Sequence, residues 1–114
     1  MAISYDKIGD LYATFYGNVK VGDVVTISSS NTVAKAADGN TVAGVCVDTD
    51  GKLCTVQVKG FVNLKYTGSA LNVGRQVIVS GGNNEVKSGN IATNGTSILV
   101  VASDSASKEI VALI

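Results

Sequence analysis

The chain reads as an all-β protein: a small barrel or sandwich of two pseudo-equivalent β-hairpin halves with an N-terminal arm. Three observations predict this. β-Branched residues recur in short runs from Val19 to Ile114, each bounded by turn residues, which is the pattern of strands. Thirteen glycines with no proline mark a turn-rich β protein, because disordered linkers are Pro-rich and poor in β-branched residues. The chain also repeats itself. Residues 21–28 align with 73–80 at an offset of 52, and residues 45–52 with 101–108 at an offset of 56.

The elements follow in order. Val21-Gly22-Asp23-Val24-Val25-Thr26-Ile27-Ser28 forms a strand, and Ser28-Ser29-Ser30-Asn31 turns it into a short return strand at 32–36. Asp38-Gly39-Asn40 turns the chain into a third strand at 42–48. Asp50-Gly51 is the strongest hairpin signal, since a two-residue type I′ loop needs positive φ at both central positions. A long strand over 53–66 follows, with Gly60 marking a bend or bulge. The second series has strands at 75–80, 84–87, 96–103 and 108–114, with a loop at 89–95. Residues 8–16 leave room for one or two helical turns, although no capped apolar stripe occurs. The organisation expected is an arm over 1–18 and one β domain over 19–114, with repeat units 21–59 and 73–114.

Cys46 and Cys54 read as small core residues, since free cysteine is among the most buried types. A two-residue Asp50-Gly51 loop sets Cys54 opposite Val47 and puts Val45, Val47, Cys54, Val56 and Val58 on one face, with Cys46 pointing away. A three-residue Thr49-Asp50-Gly51 loop sets Cys46 opposite Cys54. The first register is the preferred one.

Composition excludes several functions. Nine basic and nine acidic residues cancel, so no electrostatic footprint argues for nucleic acid or an anionic membrane. Histidine is absent, which removes Ser-His-Asp and Cys-His pairs and His-based zinc sites. Asp48-Thr49-Asp50-Gly51 starts like a calcium loop but lacks its third ligand and distal glutamate. No catalytic residue, cofactor site or metal site is expected, and the chain reads as a soluble cytosolic product. Hydrophobic residues make up 46 % and charged residues 16 %, so association through apolar surface is expected.

Two segments carry that surface. Tyr5, Tyr12, Phe15 and Tyr16 are four of the six aromatics and sit in the arm, where they either cap the chain's own barrel or anchor a neighbour. Ile110-Val111-Ala112-Leu113-Ile114 is a continuous apolar run, so one of its faces meets another sheet or subunit. The candidate interface is Tyr5, Tyr12, Phe15, Tyr16, Ile110, Val111, Leu113 and Ile114.

The succession Gly22-Asp23-Val24-Val25, Val33-Ala34-Lys35-Ala36, Ala43-Gly44-Val45-Cys46, Gly51-Lys52-Leu53-Cys54-Thr55-Val56-Gln57-Val58, Lys59-Gly60-Phe61-Val62 and Val73-Gly74-Arg75-Gln76-Val77 resembles the capsid decoration proteins of tailed bacteriophages. These are also called cement or head-fibre proteins. The likeness covers about residues 19–114; Gly74-Arg75 stands where that family has a second Gly-Asp, and Cys46 where it has alanine. The resemblance implies a non-enzymatic virion protein made in the host cytoplasm, bound to the major capsid protein on the outside of the head and commonly trimeric. The alternative is a small ligand- or carbohydrate-binding β module of a phage tail or bacterial surface.

Overall fold

A computed structural model describes residues 10–114. The first half holds β1 (Leu11–Tyr16), β2 (Val24–Ser29), β3 (Thr32–Lys35), β4 (Gly44–Thr49) and β5 (Leu53–Lys59). The second holds β6 (Phe61–Tyr66), β7 (Gly74–Gly82), β8 (Glu85–Ser88), β9 (Thr96–Asp104) and β10 (Glu109–Leu113). Each half closes into its own barrel, in the order β1-β3-β2-β4-β5 and β6-β8-β7-β9-β10. All regular elements among the described residues are strands, as the sequence predicts.

Three expectations change. Residues 11–16 are neither arm nor helix: β1 pairs antiparallel with β5 along its whole length, because Ala13 and Phe15 alternate inward with Tyr12, Thr14 and Tyr16 outward. Residues 1–9 lie outside the described part, and Tyr5 with them. Val21-Gly22 is a turn ahead of β2 rather than its first residues, with Gly22 at φ 93°. The long strand expected over 53–66 is two strands belonging to different barrels. Gly60, at φ 112°, makes the corner, and the buried Gln57 amide braces it by donating to the Lys59 and Phe61 carbonyls at 3.2 Å each.

The duplication extends to which strands pair and in which sense, while the β2–β4 and β7–β9 registers differ by two residues. In both halves the first strand pairs antiparallel with the fifth and parallel with the third. Both second strands bulge before the turn, at Ser28 and Gly81, and both fourth strands bulge at Val47 and Val101. The bulges set the equivalences. Val33 corresponds to Val86 and Ile27 to Ser80, 53 residues on rather than 52. Cys46 corresponds to Val100, 54 on, and only beyond the hairpin loop does the spacing become 56, where Leu53 corresponds to Glu109. The repeat therefore starts at β1 and β6, ahead of the boundaries read from sequence.

The Val47 bulge also overturns the preferred cysteine register. Thr49 pairs with Cys54 and Cys46 with Val56, so both thiols point inward while Val47 is exposed. The loop's central residues are Gly51 and Lys52, closed by the Asp50 N–H donating to the Leu53 carbonyl at 3.0 Å. Positive φ at Gly51 alone is the type II′ pattern.

The barrels differ in what fills them. Barrel one encloses Val19, Val25, Val33, Cys46, Cys54 and Val56, with Phe15 and Val58 packed against them. Barrel two encloses larger groups, among them Leu64, Tyr66, Leu71, Ile78, Ile98 and Ile110. Val24, Ala36, Val42 and Val45 of the first half join this second core, so the two barrels share an apolar junction.

Polar contacts fix the junction. The turn after β3 lies on the end of barrel two: the Gly39 N–H donates to the Ser80 carbonyl at 2.8 Å, and the Ser80 N–H to the Asn40 carbonyl at 2.9 Å. Ser80 Oγ donates to the Ala36 carbonyl at 3.3 Å. The Lys87 ammonium meets the Asp38 carboxylate at 2.6 Å. Asn84 receives the Val24 N–H and donates to Asp23 at 3.0 Å.

Candidate interaction surface

The outward positions of β1, β5 and β4 form a continuous strip on barrel one. Alternation on β1 presents Tyr12, Thr14 and Tyr16, and the cross-strand partners of Thr14 and Tyr16 are Thr55 and Leu53. Tyr16 is 61 % exposed and Leu53 41 %, large values for a cross-strand apolar pair. Beside this pair, on the Leu53 side, lies a shallow concavity of about 260 Å³ lined by Thr14, Asp48, Thr49, Asp50, Leu53 and Thr55. Tyr12 Oη donates to Asp10 at 3.2 Å, holding its ring at the strip's lower end.

Barrel two carries the same concavity in the same place. Its lining includes Asn63, Ala102, Ser103, Asp104, Glu109 and Val111, the counterparts in order of the six residues above, and its volume is about 190 Å³. The chemistry differs. Where barrel one pairs Tyr16 with Leu53, barrel two pairs Lys65 with Glu109; where barrel one has Thr14, barrel two has the exposed Asn63. At this cross-strand pair barrel two carries charge where barrel one carries an exposed tyrosine and leucine, while the hollow beside it has Ala102 and Val111 in the places of Asp48 and Thr55.

The two hairpin loops are again counterparts. The Asp50 carboxylate accepts the Lys52 and Leu53 N–H groups at 2.9 and 2.8 Å, and Asp104 accepts those of Ala106 and Ser107 at 2.9 and 3.4 Å. These backbone donors hold both carboxyls below the ordinary value, most strongly through Leu53 for Asp50 and Ala106 for Asp104. Each carboxylate is thus committed to its turn, and no group of three or more metal-ligating side chains occurs among the described residues. Burial pushes the Cys46 and Cys54 thiols up, the setting of inert core cysteines.

The sequence-derived interface residues divide. Tyr12 and Tyr16 lie on the strip, and Phe15, next to them in sequence, turns inward against the first core. Ile110 is a fully buried core residue of barrel two, not a surface anchor, because β10 directs it inward with Ala112. Val111 and Leu113 are half-buried on the opposite face, and Ile114 packs on the second core at the waist. The C-terminal run is thus split between barrel two's core (Ile110), its outer face (Val111, Leu113) and the edge of that core (Ile114), away from the tyrosine strip on barrel one. Leu53 was missed from the sequence, although inward Cys54 and Val56 already imply that it faces out.

Comparisons with protein-family models, with curated proteins and with solved structures gave no match.

Proposed function

We propose that this chain is a non-enzymatic structural protein that binds the outer surface of a tailed-phage capsid and stabilises it, with the Tyr12, Tyr16 and Leu53 strip facing the major capsid protein. The observation that carries this reading is the contrast between the two copies of one surface. A fold that places Lys65 and Glu109 outward in barrel two does not require Tyr16 and Leu53 outward in barrel one, so their exposure is not a demand of the barrel. Tyrosine and leucine around a hydroxyl-rich hollow suit a protein contact, where aromatic anchors supply area at small entropic cost. A pressurised shell offers many copies of one docking site, and an oligomer, a trimer foremost, engages several at once, so modest single-site affinity suffices.

Co-sedimentation with empty heads of the phage that encodes the protein tests this. The wild-type chain pellets with heads and raises their disruption temperature, and Tyr16→Lys with Leu53→Glu abolishes pelleting while leaving the circular-dichroism spectrum unchanged. A wild-type chain that stays in the supernatant overturns the proposal.

One observation favours a second reading. Tyr12 and Tyr16 stand on β1 either side of Thr14, about 13 Å apart at 3.3 Å per strand residue, and Thr14 lines the hollow with Thr49 and Asp50, an arrangement that also fits sugar rings stacked near hydroxyl partners. Binding to a glycan array without pelleting on heads would select a carbohydrate-binding module instead.

A further inference from the structure

Within one chain, the turn Ala36-Ala37-Asp38-Gly39-Asn40 of barrel one covers the end of barrel two at Ser80 and Lys87, and the neighbouring Asn84 holds Asp23 and the Val24 N–H. Both participants have counterparts that are left bare among the described residues. The corresponding turn of barrel two is residues 89–93, identified by matching bonds 53 residues on. Gly89 N–H donates to the Val77 carbonyl as Ala36 does to Val24, and Thr93 N–H to Asn90 as Asn40 does to Ala37. Its tip carries Ile91 in the place of Asp38, 65 % exposed. The corresponding end of barrel one presents Ile27, Asn31 and Ala34 in the places of Ser80, Asn84 and Lys87. Ser80 is fully buried, whereas Ile27 is 51 % exposed.

We propose that a second copy of this chain fills the vacancy: the 89–93 turn of one copy docks on the Ile27 and Ala34 end of barrel one of the next. The contact repeats between chains the junction that joins the barrels within a chain, so it continues an interface the fold already uses. The side chains support it as a matched set. The inner junction pairs Asp38 with Lys87 and buries Ser80; the outer one would pair Ile91 with Ala34 and bury Ile27. Both partners have changed in the same sense, from charged to apolar, as required if they meet each other. An isolated exposed isoleucine needs no explanation, but two at complementary positions of one duplicated contact do. The association is head-to-tail, and it closes into a ring when the rotation between the barrels divides a full turn and otherwise grows as a filament.

This inference deepens the oligomer part of the reading above and does not depend on the capsid, so its test uses the purified full chain alone. Sedimentation equilibrium would be run on the wild type, Ile91→Asp, Ala34→Lys and the double variant. The wild type self-associates with concentration, and each single change, as well as Ile27→Ser, weakens association at least tenfold, because a charge or hydroxyl then meets an apolar partner. The double variant regains association, since Asp at 91 and Lys at 34 recreate between chains the Asp38 and Lys87 pair. A wild type that is monomeric at every concentration, as it would be were its own first nine residues lying over Ile27, overturns the proposal. So does association that the single variants leave unchanged, or a double variant no better than the singles. Failure here leaves the head-binding test untouched.

Discussion

Barrel one and barrel two have one topology and opposite allocations of apolar surface. At three equivalent inward positions barrel two places Ile78, Val100 and Ile110 where barrel one places Val25, Cys46 and Cys54. At the outward pair the order reverses, with Lys65 and Glu109 in barrel two against Tyr16 and Leu53 in barrel one. Barrel two also draws Val24, Ala36, Val42 and Val45 into its core, so it is filled from both halves. The lesson is that pairing pattern alone fixes neither stability nor function in a duplicated fold. The copy with the larger core leaves Val73 and Ile91 as its exposed large hydrophobics, whereas the copy with the smaller core leaves Leu11, Tyr12, Tyr16, Val21, Ile27, Val47 and Leu53 exposed among the described residues.

The largest expected effect tests the core half of that contrast. Ile110→Ala leaves a cavity in the larger core and costs about 2–5 kcal/mol, whereas Cys54→Ala at the matching position removes a single sulfur and costs about 1 kcal/mol. Urea unfolding of the two variants checks the difference, and equal losses would show that the barrels contribute alike.

Next in size is a kinetic contrast between folded and unfolded chains. Cys46 and Cys54 are buried and their thiols are pushed up by that burial, so a neutral-pH thiol reagent reacts with neither in the native protein and with both in denaturant. Fast native labelling of either thiol would mean that barrel one opens locally, which sharpens its standing as the weaker half.

Converting the strip of barrel one to that of barrel two, Tyr16→Lys with Leu53→Glu, should change stability by no more than about 0.5 kcal/mol, the range of surface substitutions. Thermal melts read this. A large loss would mean that the pair supports the barrel instead of serving a partner.

The smallest effect is one the barrels share. Asp50 and Asp104 have carboxyls lowered by folding, so the stability they contribute is fully present above the ordinary carboxylate value and is lost as pH falls through their lower native values. Asp50→Asn and Asp104→Asn keep the acceptor oxygen for the turn and remove the titration. Each should flatten the acid limb of a stability-against-pH curve to a similar extent, and a single responsive residue would break the equivalence of the loops.

Much of this was legible in the chain. Turn residues placed seven of the ten strands to within a few residues, with β5 and β6 merged into one, because Gly, Asn and Asp at tight turns are a local requirement of φ. The repeat was visible through Val21-Gly22 and Val73-Gly74 but was offset by one or two residues. Bulges at Ser28, Val47, Gly81 and Val101 add unpaired residues that no hydrophobic pattern announces. The same bulge at Val47 turned Cys46 inward. β1 has no local signature in the sequence, because its partners β3 and β5 lie far along the chain.

The amino-acid sequence by itself determined that this protein is all-β, that it is duplicated, and that its thiols are core. Those properties follow from backbone preference and from the period-two burial of side chains, which act over a few residues. Only the tertiary structure decided that the halves close separately, that Gly60 passes the chain from one barrel to the other, and that Tyr16 and Leu53 or Ile27 and Ile91 remain uncovered. Exposure depends on which distant segment lies on top, and contacts between residues fifty positions apart are set by packing, not by local chemistry.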